Sequence, residues 1–246
     1  MKPAGSEMDL LLLPGLMCDA AVWAPLLPQV EQIAECRIPT YHDATSLGAM
    51  AERVLADAPA RFALAGHSMG GRVALEIVRR APERVLRLAL LDTGCRPRPV
   101  GAAGDDEKAK RYALLALARR SGTRAMAREW VKPMVHPERL AARALIDAIL
   151  DMFERRTADE FAAQIEALLA RPDATGLLGS ISCPTLVLCG REDGWSTPAQ
   201  HAEMAALISG ARLAVIEHCG HMAPMERPAE VGAELLAWLP APPTLR

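Results

Sequence analysis

The chain has 246 residues, enough for one α/β domain with a well-buried core. Its hydrophobic content of 51% and charged content of 24% are those of a globular protein. A formal net charge of −2 with no basic run gives no reason to expect nucleic acid or an anionic membrane as partner.

The amino-terminal stretch Met1-Lys2-Pro3-Ala4-Gly5-Ser6-Glu7 is polar and lacks the pattern of a secretory signal. No stretch approaches the ~18–20 apolar residues of a spanning helix. A cytoplasmic location is expected. Apolar runs predict strands near 9–13, 34–38, 62–66, 85–91, 185–190 and 212–216. Amphipathic stretches predict helices near 48–58, 69–80, 198–208 and 228–238. This alternation argues for an α/β fold with a mostly parallel sheet of about six strands covered on both faces.

Residues 97–180 break the alternation. They open on the turn-rich Arg96-Pro97-Arg98-Pro99-Val100-Gly101 and continue with helical patterns near 105–120, 122–130, 137–155 and 158–171. Leu140, Ala144, Leu145, Ala148, Ile149 and Met152 fall at helical spacing. The segment reads as a helical cap inserted into a core made of 1–96 and 181–246. Such an insertion would sit over the carboxyl ends of the strands, where open α/β sheets bind ligands. The six cysteines (Cys18, Cys36, Cys95, Cys183, Cys189, Cys219) form no Cys-x-x-Cys pair. They read as free apolar side chains, with neither a disulfide framework nor a metal site.

Chemistry concentrates in three turns. Gly66-His67-Ser68-Met69-Gly70 lies between a buried strand and an amphipathic helix. A serine in that setting sits on a sharp turn that admits only very small neighbours, with its hydroxyl held at the amino end of the helix. Leu186-Val187-Leu188-Cys189-Gly190 ends in a turn that leads to Asp193, and Leu213-Ala214-Val215-Ile216 ends in one that leads to His221. The order Ser68, Asp193, His221 suits nucleophilic acyl transfer. A serine needs a base to take its proton, an imidazole titrates near neutrality, and a carboxylate fixes the imidazole's tautomer. The oxyanion would be held by the backbone N–H of Met69 and by one from Leu13-Pro14-Gly15-Leu16-Met17, assigned to Leu16 with Met17 as fallback.

With these residues the chain resembles the α/β-hydrolase superfamily, in its capped esterase and carbon–carbon-bond hydrolase branch. The resemblance is carried by Leu11–Leu16 with Trp23, by Gly66–Gly71, by Leu90-Leu91-Asp92-Thr93, by Cys183–Asp193 and by Cys219–Pro228. It covers both ends of the chain and not the segment near 97–180. Two departures stand out. Pro14-Gly15 replaces the His-Gly usual in the oxyanion loop. Pro39-Thr40-Tyr41-His42-Asp43 replaces an Asp-x-Arg-Gly-His-Gly segment that lines the pocket entrance in relatives.

The resemblance implies a serine hydrolase of small carboxylic esters, with no cofactor and no metal. It leaves carbon–carbon (diketone) hydrolysis, lactonase, thioesterase and perhydrolase activities open on the same site. A non-enzymatic small-molecule receptor is the alternative of another class. The expected partner is a small-molecule substrate, and the chain would be a monomer or homodimer. His218 competes with His221, and Asp92 with Asp193; in both cases the turn context favours the latter. Met17, Trp23, Cys95, Trp130, Met134, Trp195 and Met222 are candidates for the substrate pocket, as are Met152 and Phe153. Plain core packing is the competing reading for each. Arg119, Arg120, Arg124 and Arg128 could attract an anionic substrate but read as a solvated helix face.

Overall fold

A computed structural model describes residues 8–239; the amino-terminal stretch 1–7, read above for a signal, lies outside the described residues. Six strands form one sheet: β1 (Asp9–Leu13), β2 (Glu35–Arg37), β3 (Phe62–His67), β4 (Val85–Leu91), β5 (Thr185–Gly190) and β6 (Arg212–Ile216). The spatial order is β2-β1-β3-β4-β5-β6 and every pairing is parallel. β3 and β5 lie inside the sheet and are buried at every position. That is why they read as unbroken apolar runs and not as alternating ones. The edge strands β2 and β6 are partly exposed.

Eleven α-helices accompany the sheet among the described residues. In the core these are α1 (Leu27–Val30), α2 (Leu47–Asp57), α3 (Met69–Arg80), α9 (Pro198–Leu207), α10 (Ala223–Glu226) and α11 (Pro228–Trp238). Their starts follow capping chemistry. The Ser46 hydroxyl accepts the Ala49 N–H, and Thr197 with Gln200 forms a reciprocal capping box ahead of Pro198. Between β4 and β5 the chain inserts α4 (Ala102–Ser121), α5 (Thr123–Trp130), α6 (Arg143–Glu154), α7 (Ala158–Leu169) and α8 (Thr175–Leu178). Among the described residues no helix is long and apolar enough to cross a membrane.

One expected helix differs. The pattern at 137–155 is divided into a 3-10 turn at Pro137–Ala141 and α6. Ala142 leaves the helical region at φ −80°, ψ 81°. The turn is started by Pro137 and by the His136 ring, whose Nδ1 accepts the Glu138 N–H at 3.2 Å. The single-turn helices α1, α8 and α10 leave no periodic signal in the sequence, because four residues are too few to show a helical period.

The insertion is tied to the core by polar contacts as well as apolar ones. The Arg155 guanidinium forks onto Asp19 at 2.8 and 3.0 Å, Arg156 donates to the Cys18 carbonyl at 3.1 Å, and the His221 N–H donates to the Met134 carbonyl at 2.7 Å. Within the core, α3 packs so closely on β1 that a Cβ at Gly70 would lie 2.2 Å from the Leu13 carbonyl oxygen. Gly70→Ala is therefore expected to destabilise the protein by about 1–3 kcal/mol. Urea denaturation of the variant against the parent measures this.

Candidate active site

All three chemical turns open at the carboxyl edge of the sheet, Ser68 after β3, Asp193 after β5 and His221 after β6. Ser68 has φ 54° and ψ −117°, a strained conformation for a residue with a side chain. It is held there by its neighbours. The Ser68 N–H donates to the Leu91 carbonyl at 2.8 Å, and the Ser68 carbonyl accepts the Thr93 hydroxyl at 2.6 Å. The flanking glycines permit the approach: a Cβ at Gly66 would meet the Gly70 carbonyl oxygen at 2.4 Å.

The Ser68 hydroxyl lies 2.9 Å from His221 Nε2, and His221 Nδ1 lies 2.8 Å from Asp193 Oδ2. With Nδ1 protonated, the ring donates to the carboxylate and its Nε2 lone pair faces the hydroxyl. The other Asp193 oxygen accepts the N–H groups of Trp195 and Ser196 at 2.9 and 3.0 Å. Burial opposes charge on Asp193, but the facing His221 and these amides outweigh it and hold the carboxyl below its usual range. His218 is exposed and does not join this chain of hydrogen bonds; its ring lies 5.7 Å from that of His136.

Asp92, the rival acid, is used otherwise. It is fully buried, with Oδ1 accepting the Gly190 N–H at 3.0 Å and Oδ2 the Ala223 N–H at 3.3 Å. Burial, then the nearby Asp193 charge, pushes its carboxyl well above the ordinary range. Glu226 is a second buried acid, not singled out in the sequence. Its carboxylate accepts the N–H groups of Gly220, Met222 and His136 at 3.1, 3.1 and 2.8 Å, and so fixes the backbone on both sides of His221. His67 Nε2 lies 2.8 Å from the His221 carbonyl oxygen, to which it donates.

The site faces a cavity of about 840 Å³. Of the pocket candidates, Trp130, Met134, Trp195 and Met222 line it, as do Leu16 and Met69. Phe153 lines it too, while Met152 is buried and does not. Trp195 stacks on Trp130 at 5.8 Å and lies 4.9 Å from the His221 ring. Besides Met152, three more candidates do not reach the cavity. Trp23 is fully buried and meets His67 edge-on at 6.4 Å. Cys95 turns aside, its thiol 3.8 Å from the Thr175 hydroxyl. Met17 is fully buried with φ 62°, and its N–H donates to the Gln164 side chain at 2.8 Å.

That last bond removes the Met17 amide as an oxyanion donor. The amides of Leu16 and Met69 have no protein acceptor among the described residues. The two departures from the family pattern meet here: the Tyr41 hydroxyl donates to the Pro14 carbonyl at 2.9 Å, and so anchors the loop from the segment that lacks the usual glycines. All six cysteines are free. Burial pushes the Cys18, Cys36 and Cys189 thiols up to about 12, which disfavours the thiolate form. One group of possible metal ligands, His136, Glu138 and His218, lies outside this arrangement, and there His136 Nδ1 already accepts the Glu138 N–H.

The chain matches the Alpha/beta hydrolase family over residues 10–234, and it belongs to that family. Among curated proteins it is 28% identical over 235 residues to the pimeloyl-[acyl-carrier protein] methyl ester esterase of Nitrosomonas europaea, a match that covers 90% of this chain and 91% of that protein. It is 30% identical over 185 residues to the dihydrolipoyllysine-residue acetyltransferase component of the acetoin cleaving system of Pseudomonas putida. That match covers 73% of this chain but only 46% of the longer relative. Among solved structures, a thermophilic esterase from Thermogutta terrifontis superposes with a TM-score of 0.83 at 27% identity, over 95% of this chain and 90% of that one. Family membership and the esterase relatives make this chain a hydrolytic enzyme of the α/β-hydrolase type.

The buried His67 sets an acid limit on the fold. Burial, then the neighbouring His221, lowers its pKa from 6.5 to about 3. The folded state thus binds a proton less readily than the unfolded chain. The stability this contributes is complete above pH 6.5 and is lost as pH falls toward 3. His67→Gln should flatten the pH dependence of stability in that window by up to about 1.4 kcal/mol per pH unit. Urea midpoints of parent and variant across the window measure the difference.

Proposed function

We propose that this enzyme is a serine hydrolase of small carboxylic esters or related acyl compounds. The observation that carries the reading is the unbroken chain of hydrogen bonds from Ser68 through His221 to Asp193, opening into the cavity. Ser68 Oγ attacks the substrate carbonyl carbon as its proton passes to His221 Nε2. The carbonyl oxygen becomes an oxyanion beside the Leu16 and Met69 amides, at the amino end of α3. His221 then returns the proton to the leaving alcohol, and the acyl group stays on Ser68. A water enters, loses its proton to His221 and attacks the acyl carbon; the bond to Ser68 Oγ breaks, the acid leaves, and His221 returns that proton to Oγ. Asp193 stays ionised throughout and stabilises the imidazolium.

The helical insertion acts in this reading as a cap. Trp130, Met134 and Phe153 give the cavity its apolar wall, which excludes water and holds the acyl chain. Trp195, 38% exposed, stands at the mouth between cap and His221. Esterases among the relatives support the ester reading, and carbon–carbon-bond hydrolases among them keep carbon–carbon cleavage as the second reading on the same site. The partner is accordingly a small molecule.

Hydrolysis of p-nitrophenyl esters from acetate to decanoate tests the reading. Turnover is expected for the parent, with a chain-length optimum set by the cavity. Ser68→Ala should lower kcat by roughly 10⁴-fold or more, and Asp193→Asn by on the order of 10³–10⁴-fold through the wrong imidazole tautomer. Absence of turnover on every ester, or turnover that survives Ser68→Ala, contradicts it.

A further inference from the structure

The lining of the cavity is chemically mixed. Beside Ser68 its wall is apolar and aromatic. Toward the amino-terminal half of α4 it carries three arginines, Arg72, Arg111 and Arg171, around a single carboxylate, Glu107. Glu107 is already engaged. Arg171 forks onto both its oxygens at 2.7 and 2.8 Å, and Arg111 donates to it at 3.0 Å. The other acids of the lining are committed to lysines, Asp106 to Lys110 at 2.7 Å and Glu129 to Lys132 at 2.5 Å. The cluster therefore keeps two positive charges without a counter-charge.

Arg72 is the group left over. It lies four residues past Ser68 on α3, about 6 Å along the helix axis. Its Nη1 donates to the Arg96 carbonyl at 2.9 Å, which fixes the side chain, yet it lines the cavity and makes no ion pair among the described residues. Arg72 is half-buried, and a guanidinium partly withdrawn from water without an ion-pair partner is stabilised when an anion joins it. Burial, then Arg171, lowers the Arg72 pKa to about 9. The same arginines act oppositely on Glu107. Burial opposes its charge, but Arg171 and Arg111 prevail and hold the carboxyl at about 2. A carboxylate is thus the kind of anion this cluster stabilises, and planar guanidiniums match it edge to edge.

We infer that Arg72, with Arg111 and Arg171 behind it, is an anion subsite that binds a carboxylate at the far end of the acyl chain. The enzyme then prefers half-esters of dicarboxylic acids, or acyl compounds with a terminal carboxylate, over neutral esters of the same length. The assignment of Ser68 to the ester end rests on the hydrolase reading given above; the anion site itself does not. On α4 the residues Arg111, Leu114 and Leu117 share one face and line the cavity together, so the charged head and the apolar stem of such a substrate find their counterparts along one helix.

Binding to the Ser68→Ala protein separates the two ideas, because no turnover is involved. Isothermal titration is run with monomethyl adipate and with dimethyl adipate. The half-ester should bind about ten- to hundredfold more tightly, the worth of one or two charge-assisted hydrogen bonds. Arg72→Met should erase most of that ratio and Arg72→Lys restore part of it, with circular dichroism used to check that each variant is folded. The parental ratio tests the site even if a variant fails to fold. Equal affinity for the two esters, no binding of either, or a preference unchanged in folded Arg72→Met overturns the subsite. Turnover of neutral esters together with equal affinity would remove the subsite and leave the hydrolase. Selective binding without turnover of any ester would keep the subsite and remove the hydrolase.

Discussion

The backbone of Ser68 is the constraint on which the rest of the site depends. At φ 54° it occupies a region that costs a side-chain-bearing residue about 1–3 kcal/mol. Nothing local favours it. It is imposed by the crossing of β3, α3 and β1, which pass so closely that no Cβ fits at Gly66 or Gly70. The return is geometric. The strained turn holds the hydroxyl within reach of His221 and starts α3 directly behind it. Relaxing the turn would need β1 and α3 to separate, and this would expose the most buried strands of the core.

His221 has the opposite problem, because it sits on a loop that must be held still. Loops are the mobile parts of most folds. Here the loop is fixed from three sides by buried polar groups. Glu226 accepts the amides on either side of His221, His67 donates to its carbonyl, and Met134 of the insertion accepts its N–H. Asp92 ties Gly190 of β5 to Ala223 at the start of α10, and so carries the restraint into the sheet. Each of these acids is expensive to bury, and burial raises the pKa of both, while each accepts backbone donors that would otherwise lack partners. The insertion thus contributes to positioning the reactive groups as well as walling the cavity.

Much of this was legible in the sequence, and the part that was not has a physical reason. The strands were readable because a doubly covered parallel sheet demands continuous apolar runs, as in Phe62–Ala65 and Leu186–Cys189. The elbow was readable because only glycine fits at Gly66 and Gly70. Trp23 and Met17 were misplaced because an apolar residue near a strand end looks the same whether it faces the cavity or the core behind it. The Gln164–Met17 bond spans 147 residues and leaves no local pattern. Arg72 did leave one, a lone charge among Met69, Gly70, Gly71, Val73 and Ala74. The arginines at 119–128 show the converse: Arg119 and Arg124 pair with Asp159, Asp151 and Glu154 away from the cavity. Which arginines converge on one cavity is a property of tertiary structure and not of spacing.

The central claim is that Ser68 is a nucleophile activated by His221, and covalent trapping tests it most directly. The protein would be treated with a fluorophosphonate and the adduct located by peptide mass spectrometry. The account predicts one adduct per chain, on Ser68, formed rapidly in the parent and lost or greatly slowed in His221→Ala. An adduct on another residue, or equal labelling of Ser68 with and without His221, would contradict it.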